Sequence, residues 1–161
     1  MKKFLLLLAL LFLNISFGQS NTAIYYFIRH AEKVDSSQNP DLSEKGLKRA
    51  DLWSKIFSEI SFDKIYSTDY KRTIQTANPT ATAKKIQVKL YNPKTLNIES
   101  FKKETLGKKV LIVGHSNSIP KFVNEMINQN LFSDIEDETF GNLYMVTVVG
   151  KTISFQLLKL E

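Results

Sequence analysis

The stretch Ala23-Ile24-Tyr25-Tyr26-Phe27-Ile28-Arg29-His30-Ala31-Glu32-Lys33 decides the fold. Ala23 to Ile28 is an unbroken apolar and aromatic run, the pattern of a short strand buried on both faces. It reads as the first and central strand of a sheet. The run stops abruptly at Arg29 and His30, which places both at the strand's carboxyl end, where open α/β sheets bind their ligands. A second stretch repeats the arrangement: Lys109 to Val113 is a continuous apolar strand, and Gly114-His115-Ser116-Asn117 follows it. The chain has only two histidines, and both come directly after such a strand. If the two strands are neighbours, both imidazoles open into one crevice.

Outward from these anchors, the polar segment 35–40 reads as a loop, and Ser43 can cap a helix with Leu47, Ala50, Trp53, Phe57 and Ile60 on one face. Phe62 to Tyr66 suits a second strand. The Ser67, Thr68 and Asp69 cluster suits the start of a helix running from about Tyr70 to Lys84. Pro79 inside that helix removes a backbone donor, which predicts a kink or break near Asn78. Ile86 to Leu90 alternates as a strand does, and the stretch before Lys109 has room for a short helix. Ser116 can cap a helix to about Asn128, with Pro120 tolerated in its first turn. Leu143 to Val149 and Thr152 to Leu157 form a hairpin around Gly150 and Lys151. Strands separated by helices predict a three-layer α/β/α sandwich with a mainly parallel central sheet and an antiparallel C-terminal edge hairpin.

Composition bounds the function loosely. Hydrophobic residues make up 43% of the 161 and charged residues 24%, values of an ordinary globular domain. Lys2 and Lys3 precede an apolar run from Phe4 to Leu13, and Ser16, Phe17 and Gly18 follow, which is the pattern of a secretory signal peptide. Ten residues of helix cover roughly 15 Å, about half a bilayer core, so no permanent membrane span is expected. The expectation is a signal peptide over 1–18, cleavage near Gly18, and one domain over 19–161, exported to a periplasm or secreted. Cysteine is absent, which excludes disulfides, thiolate metal sites and a cysteine nucleophile. Removing Lys2 and Lys3 leaves 20 basic residues against 16 acidic, a net +4, with no basic run interleaved with aromatics. Nucleic acid is therefore not an expected partner.

Arg29 beside His30 is poorly explained by packing, whereas its planar fork suits bidentate phosphate binding. In Ser67-Thr68-Asp69-Tyr70-Lys71-Arg72-Thr73-Ile74-Gln75-Thr76, Arg72 falls in the first turn of a helix that begins at a strand end, a place that favours anions. A surface arginine and a histidine satisfied by a backbone carbonyl are the plain alternatives for either residue taken alone.

Arg29-His30-Ala31-Glu32-Lys33, Leu42-Ser43-Glu44-Lys45-Gly46, the 67–76 arginine motif and Gly114-His115-Ser116-Asn117 occur in this order on one chain. Together they resemble the histidine phosphatase superfamily, also called phosphoglycerate mutase-like, and in particular its small single-domain members. The resemblance implies that His30 is the phosphate-accepting nucleophile and that Arg29, Arg72 and His115 form its phosphate pocket, with His115 protonated. It implies a phosphohydrolase acting on a small phosphorylated substrate through a phosphohistidine, with no metal or other cofactor. Members with broad phosphatase activity usually carry a carboxylate after the third strand as general acid, but the corresponding stretch here is Tyr91-Asn92-Pro93-Lys94. Glu99, and further on Glu104, are the acids that remain to be considered. The missing acid keeps a second reading open, a catalytically weak or inactive phosphate-binding module on the same fold. A mutase would need substrate-holding segments for which the region before His115 leaves little room. Substrate identity, oligomeric state and the role of segment 130–138, with Leu131, Phe132 and Ile135 among acids, are open on sequence grounds.

Overall fold

A computed structural model describes residues 21–160; the expected signal peptide therefore lies outside the described residues. The elements alternate along the chain: β1 (Thr22–Arg29), α1 (Glu44–Ile56), β2 (Lys64–Ser67), α2 (Lys71–Lys84), β3 (Val88–Leu90), α3 (Ile98–Glu104), β4 (Lys109–Gly114), α4 (Ser118–Ile127), β5 (Asn142–Val149) and β6 (Thr152–Lys159). They build one six-stranded sheet in the order β3-β2-β4-β1-β5-β6. The β3-β2, β2-β4 and β4-β1 pairs are parallel, while β1-β5 and β5-β6 are antiparallel. The hairpin turns at Gly150, whose φ of 59° is a conformation that glycine reaches without strain.

β1 shows why an all-apolar strand is needed. Tyr25 and Phe27 join the core cluster that contains Phe101 of α3 and Ile119, Phe122 and Met126 of α4. Tyr26 and Ile28 point the other way, into the cluster of Trp53, Phe57, Ala77 and Ala81 beneath α1 and α2. Successive side chains thus feed opposite layers, the period-two geometry of a strand between two helical layers. The layering and the strand pairing are those expected of the sequence.

Local differences have physical causes. α2 runs unbroken through Pro79. Ala77, Thr80 and Ala81 on either side are buried, and their packing outweighs the roughly 3 kcal/mol that an interior proline costs. The Ser67, Thr68 and Asp69 cluster does not cap α2; the Lys71 N–H donates to Asn39 Oδ1 at 2.9 Å instead. Asn117, not Ser116, precedes α4, without a side-chain capping bond. On α1 the buried positions are Gly46, Ala50 and Trp53, while Leu47 is exposed. Gly46 is required because a Cβ there would lie 2.1 Å from the carbonyl oxygen of Glu32. Ser43 does cap α1, its Oγ accepting from the Gly46 N–H at 3.1 Å.

Candidate active site

β1 and β4 are adjacent and parallel with Arg29 opposite Gly114, so their carboxyl ends deliver His30 and His115 side by side. The His30 N–H donates to the Gly114 carbonyl at 2.9 Å, and the two imidazole centroids are 5.6 Å apart. Gly114 is tightly enclosed: a Cβ there would meet the Tyr91 hydroxyl oxygen at 2.8 Å and Ile119 at 2.9 Å.

His30 is buried, and its Nδ1 lies 2.7 Å from the Ala31 carbonyl oxygen. A carbonyl only accepts, so Nδ1 carries the proton and donates it there. Nε2 is left with its lone pair. Desolvation, then the charges of Arg29, His115 and Arg72, lower the His30 pKa to about 3, against a raising contribution from the Ala31 bond. His30 is therefore neutral across the physiological range, the state a nucleophilic imidazole requires.

His115 has the opposite tautomer. Arg72 NH2 donates to its Nδ1 at 3.3 Å, so Nδ1 accepts and Nε2–H donates to Thr68 Oγ1 at 2.9 Å. Thr68 Oγ1 passes the chain of bonds to Thr73 Oγ1 at 3.0 Å. Desolvation and the two guanidiniums lower the His115 pKa to about 4. Burial first, and the two arginines second, favour the neutral imidazole in the chain by itself, so the protonated state expected of the sequence needs a bound anion to offset them. The Tyr70 ring meets it edge-on at 4.9 Å and carries Arg72 over its face at 4.6 Å.

Arg29 is buried and anchored through NH1, which donates to the carbonyls of Glu136, Asp137 and Thr139 at 2.9, 2.9 and 3.1 Å. Its guanidinium sits 4.4 Å from the Phe140 ring centroid. Burial pushes its pKa down while Asp137, Glu138 and Glu32 hold it up. Arg29 Nε and Arg72 Nε are buried donors without a partner among the described residues, which leaves unspent capacity for an anion.

The motifs around these residues are scaffolding whose contacts are visible one by one. Thr76 Oγ1 accepts from the Ala31 N–H at 2.9 Å and donates to the Arg72 carbonyl at 2.7 Å, tying the His30 loop to the Arg72 helix. Gln75 Oε1 accepts from the Leu42 N–H at 2.8 Å. The Ser43 N–H donates to the Glu32 carbonyl at 2.9 Å, and the Glu32 carboxylate takes three bonds of 2.8 to 3.0 Å from Arg49. Desolvation pushes the Glu32 pKa up, but the Arg49 and Lys45 interactions outweigh it and the net shift is downward.

Arg29, His30, Arg72 and His115 line one crevice of about 640 Å³. Glu99 is not among its lining residues; it is exposed on α3 and pairs with Lys102 at 3.2 Å. Glu104 pairs with Lys64 and accepts a hydrogen bond from the Tyr66 hydroxyl, also outside the crevice. Asn92 does line it, with Oδ1 accepting from the Lys94 N–H at 2.9 Å. Sequence reasoning missed Lys33, Lys121, Asp134 and Asp137, which also line it. Segment 130–138 is a packed loop: Ile135 is buried, its N–H donates to the Ser116 carbonyl at 2.9 Å, and Asn124 holds Leu131 and Phe132 by their backbones. Among the described residues no cluster of metal-ligating side chains occurs, and no helix is long and apolar enough to cross a membrane.

The fold is shared with solved structures of low sequence identity. The alpha-ribazole phosphatase from Shigella flexneri superposes with a TM-score of 0.69 at 13% identity, over 85% of this chain and 96% of that one. Phosphoglycerate mutase from Bacillus anthracis gives 0.66 at 16% identity, over 87% and 94%. Phosphoserine phosphatase 1 of Hydrogenobacter thermophilus is 40% identical over 68 residues, which is 38% of this chain and 32% of that protein. The chain thus aligns with about a third of that relative's length. The family model for the histidine phosphatase superfamily (branch 1) matches residues 25–92. That match begins inside β1, ends just past β3 and takes in His30 with Arg29 and Arg72, so over this stretch the chain is similar to the histidine phosphatase superfamily.

Proposed function

We propose that the protein is an exported phosphohydrolase in which His30 Nε2 attacks phosphorus and forms a phosphohistidine that water then hydrolyses. The observation that carries this reading is the His30 tautomer: Nδ1 is committed to the Ala31 carbonyl, so the free lone pair is on Nε2, in a crevice also lined by Arg29 and Arg72. Splitting one displacement into two lets each proceed through an easier step.

Arg29 and Arg72 offset the charge that spreads over the equatorial oxygens, and a fixed donor of this kind contributes about 3 kcal/mol. Arg29 is positioned for that role in advance by three backbone carbonyls. A phosphate dianion beside His115 favours protonation at Nδ1 and so opposes the two arginines. Because Nε2–H already serves Thr68, His115 gains a donor toward phosphate without turning its ring. All four groups belong to the chain itself, and the proposal includes no metal.

Export rests on Lys2 and Lys3 ahead of the Phe4 to Leu13 run, and N-terminal mass analysis of the protein recovered from an extracytoplasmic fraction tests it. The second reading, a phosphate-binding module with little turnover, draws on Asn92 standing where the family's acid is usual. Hydrolysis of an aryl phosphate separates the two. Sustained turnover lost in His30→Ala supports the enzyme; tight vanadate binding without turnover by the folded protein supports the module.

A further inference from the structure

The crevice is larger and more basic than one phosphoryl group requires. Its volume of about 640 Å³ is that of a site for a whole small molecule. Besides Arg29 and Arg72 it is lined by Lys33, Lys94 and Lys121, five cations against the carboxylates of Asp134 and Asp137. The three lysines are exposed and little of their charge is spent. Through its side chain Lys94 makes no hydrogen bond or ion pair among the described residues. Lys33 meets Asp35 only through longer-range attraction, and Lys121 reaches Glu125 at 4.0 Å.

A second observation comes from the same wall. Asn92 is neutral, and its side-chain oxygen is committed to the Lys94 N–H. Position 92 therefore supplies no proton to a leaving oxygen, and it fixes the turn that presents Lys94.

We infer that the substrate is a phosphoanhydride, the terminal phosphate of a diphosphate, whose departing phosphate is held by Lys33, Lys94 and Lys121. A neutral alcohol as leaving group would leave the lysines unused and would need a proton. An alcohol bearing a carboxylate would use the lysines and still need the proton. A diphosphate satisfies both observations, because its leaving group is already a stabilised anion. His30 Nε2 bonds to the terminal phosphorus as the bond to the bridging oxygen breaks, and the electron pair leaves on that oxygen as a phosphate monoester. Water then attacks the phosphohistidine, the N–P bond breaks with its pair returning to Nε2, and the water proton passes to solvent. The sum is diphosphate plus water giving monophosphate, inorganic phosphate and a proton.

The inference rests on the proposed phosphohydrolase reading, and the experiment keeps the two apart. Phosphate release is measured with p-nitrophenyl phosphate, ADP, inorganic pyrophosphate and AMP, in the presence of a chelator. The expected result is that kcat/KM for ADP or pyrophosphate exceeds that for AMP by about 100-fold, the lower range of what a general acid supplies to an ester. Lys94→Gln is expected to lower the diphosphate-to-aryl-phosphate ratio by about 10-fold, the size of a lost bond to a charged group. Aryl phosphate turnover with AMP cleaved as well as the diphosphates overturns the substrate class and leaves the phosphohydrolase standing. The same holds if Asp134→Asn or Asp137→Asn selectively abolishes AMP cleavage, since an acid then serves esters. Failure on all four substrates by folded protein overturns both readings.

Discussion

Acidification from neutral pH should destabilise the fold through His30, and the size of the loss follows from its burial. Its pKa in the folded chain is about 3 against an ordinary 6.5, so the unfolded chain binds the proton first as pH falls. Stability from this group is complete above 6.5 and is lost progressively as pH drops toward the folded value. At about pH 5 the unfolded histidine is almost fully protonated and the folded one is not, which amounts to about 2 kcal/mol. The figure is insensitive to the depth of the folded value, because any folded pKa well below 5 gives the same loss. His115 shifts in the same direction, so the variant comparison is what isolates His30. Urea unfolding of wild type and His30→Gln at about pH 7.5 and about pH 5 measures it, with the wild type losing about 2 kcal/mol more than the variant. The chain has two histidines, and the His115 contribution is common to both proteins and drops out of the difference. Equal losses in the two proteins, or a wild type stabilised by acid, would refute a neutral buried His30.

Three further outcomes follow from contacts in the site. Gly46→Ala should cost about 2 kcal/mol or more, because the new Cβ meets the backbone oxygen of Glu32 rather than a movable side chain; thermal unfolding reads it as a Tm lowered by several degrees, roughly 2 to 4 °C per kcal/mol. Thr68→Val removes the acceptor of His115 Nε2–H, and aryl phosphate kinetics should show kcat reduced by about 10-fold, in line with a buried donor left unpaired. Glu99→Gln should leave kcat/KM within about 2-fold of wild type in the same assay, as expected for an exposed side chain whose ion pair among the described residues is with Lys102.

The parts of this site that were legible in the sequence are those carried by side chains at strand ends. Two apolar runs stopping at His30 and at Gly114-His115 gave away the sheet and the crevice, because the chain's two histidines stand in matching positions at the carboxyl ends of strands buried on both faces. Arg72 was legible from its place in the first turn after a strand. The grip on Arg29 was not: it comes from backbone carbonyls of Glu136, Asp137 and Thr139, and carbonyls are the same in every residue. For the same reason segment 130–138 read as several possibilities, and only the bond from the Ile135 N–H to Ser116 and the burial of Ile135 make it a packed loop. Pro79 misled because helix propensity is local while the burial of Ala77 and Ala81 is tertiary. The charge state of His115 was equally out of reach, since it depends on how deeply the ring is buried and on how close Arg72 and Arg29 come in three dimensions.

The most direct test of the account is the chemical identity of a trapped intermediate. The protein is mixed with phosphorus-labelled aryl phosphate, quenched in alkali within one turnover, digested and mapped for label. The account predicts an acid-labile, alkali-stable phosphoryl group on the peptide that contains His30, absent from His30→Ala. An acid-stable adduct on another residue, or full turnover by His30→Ala, would contradict it.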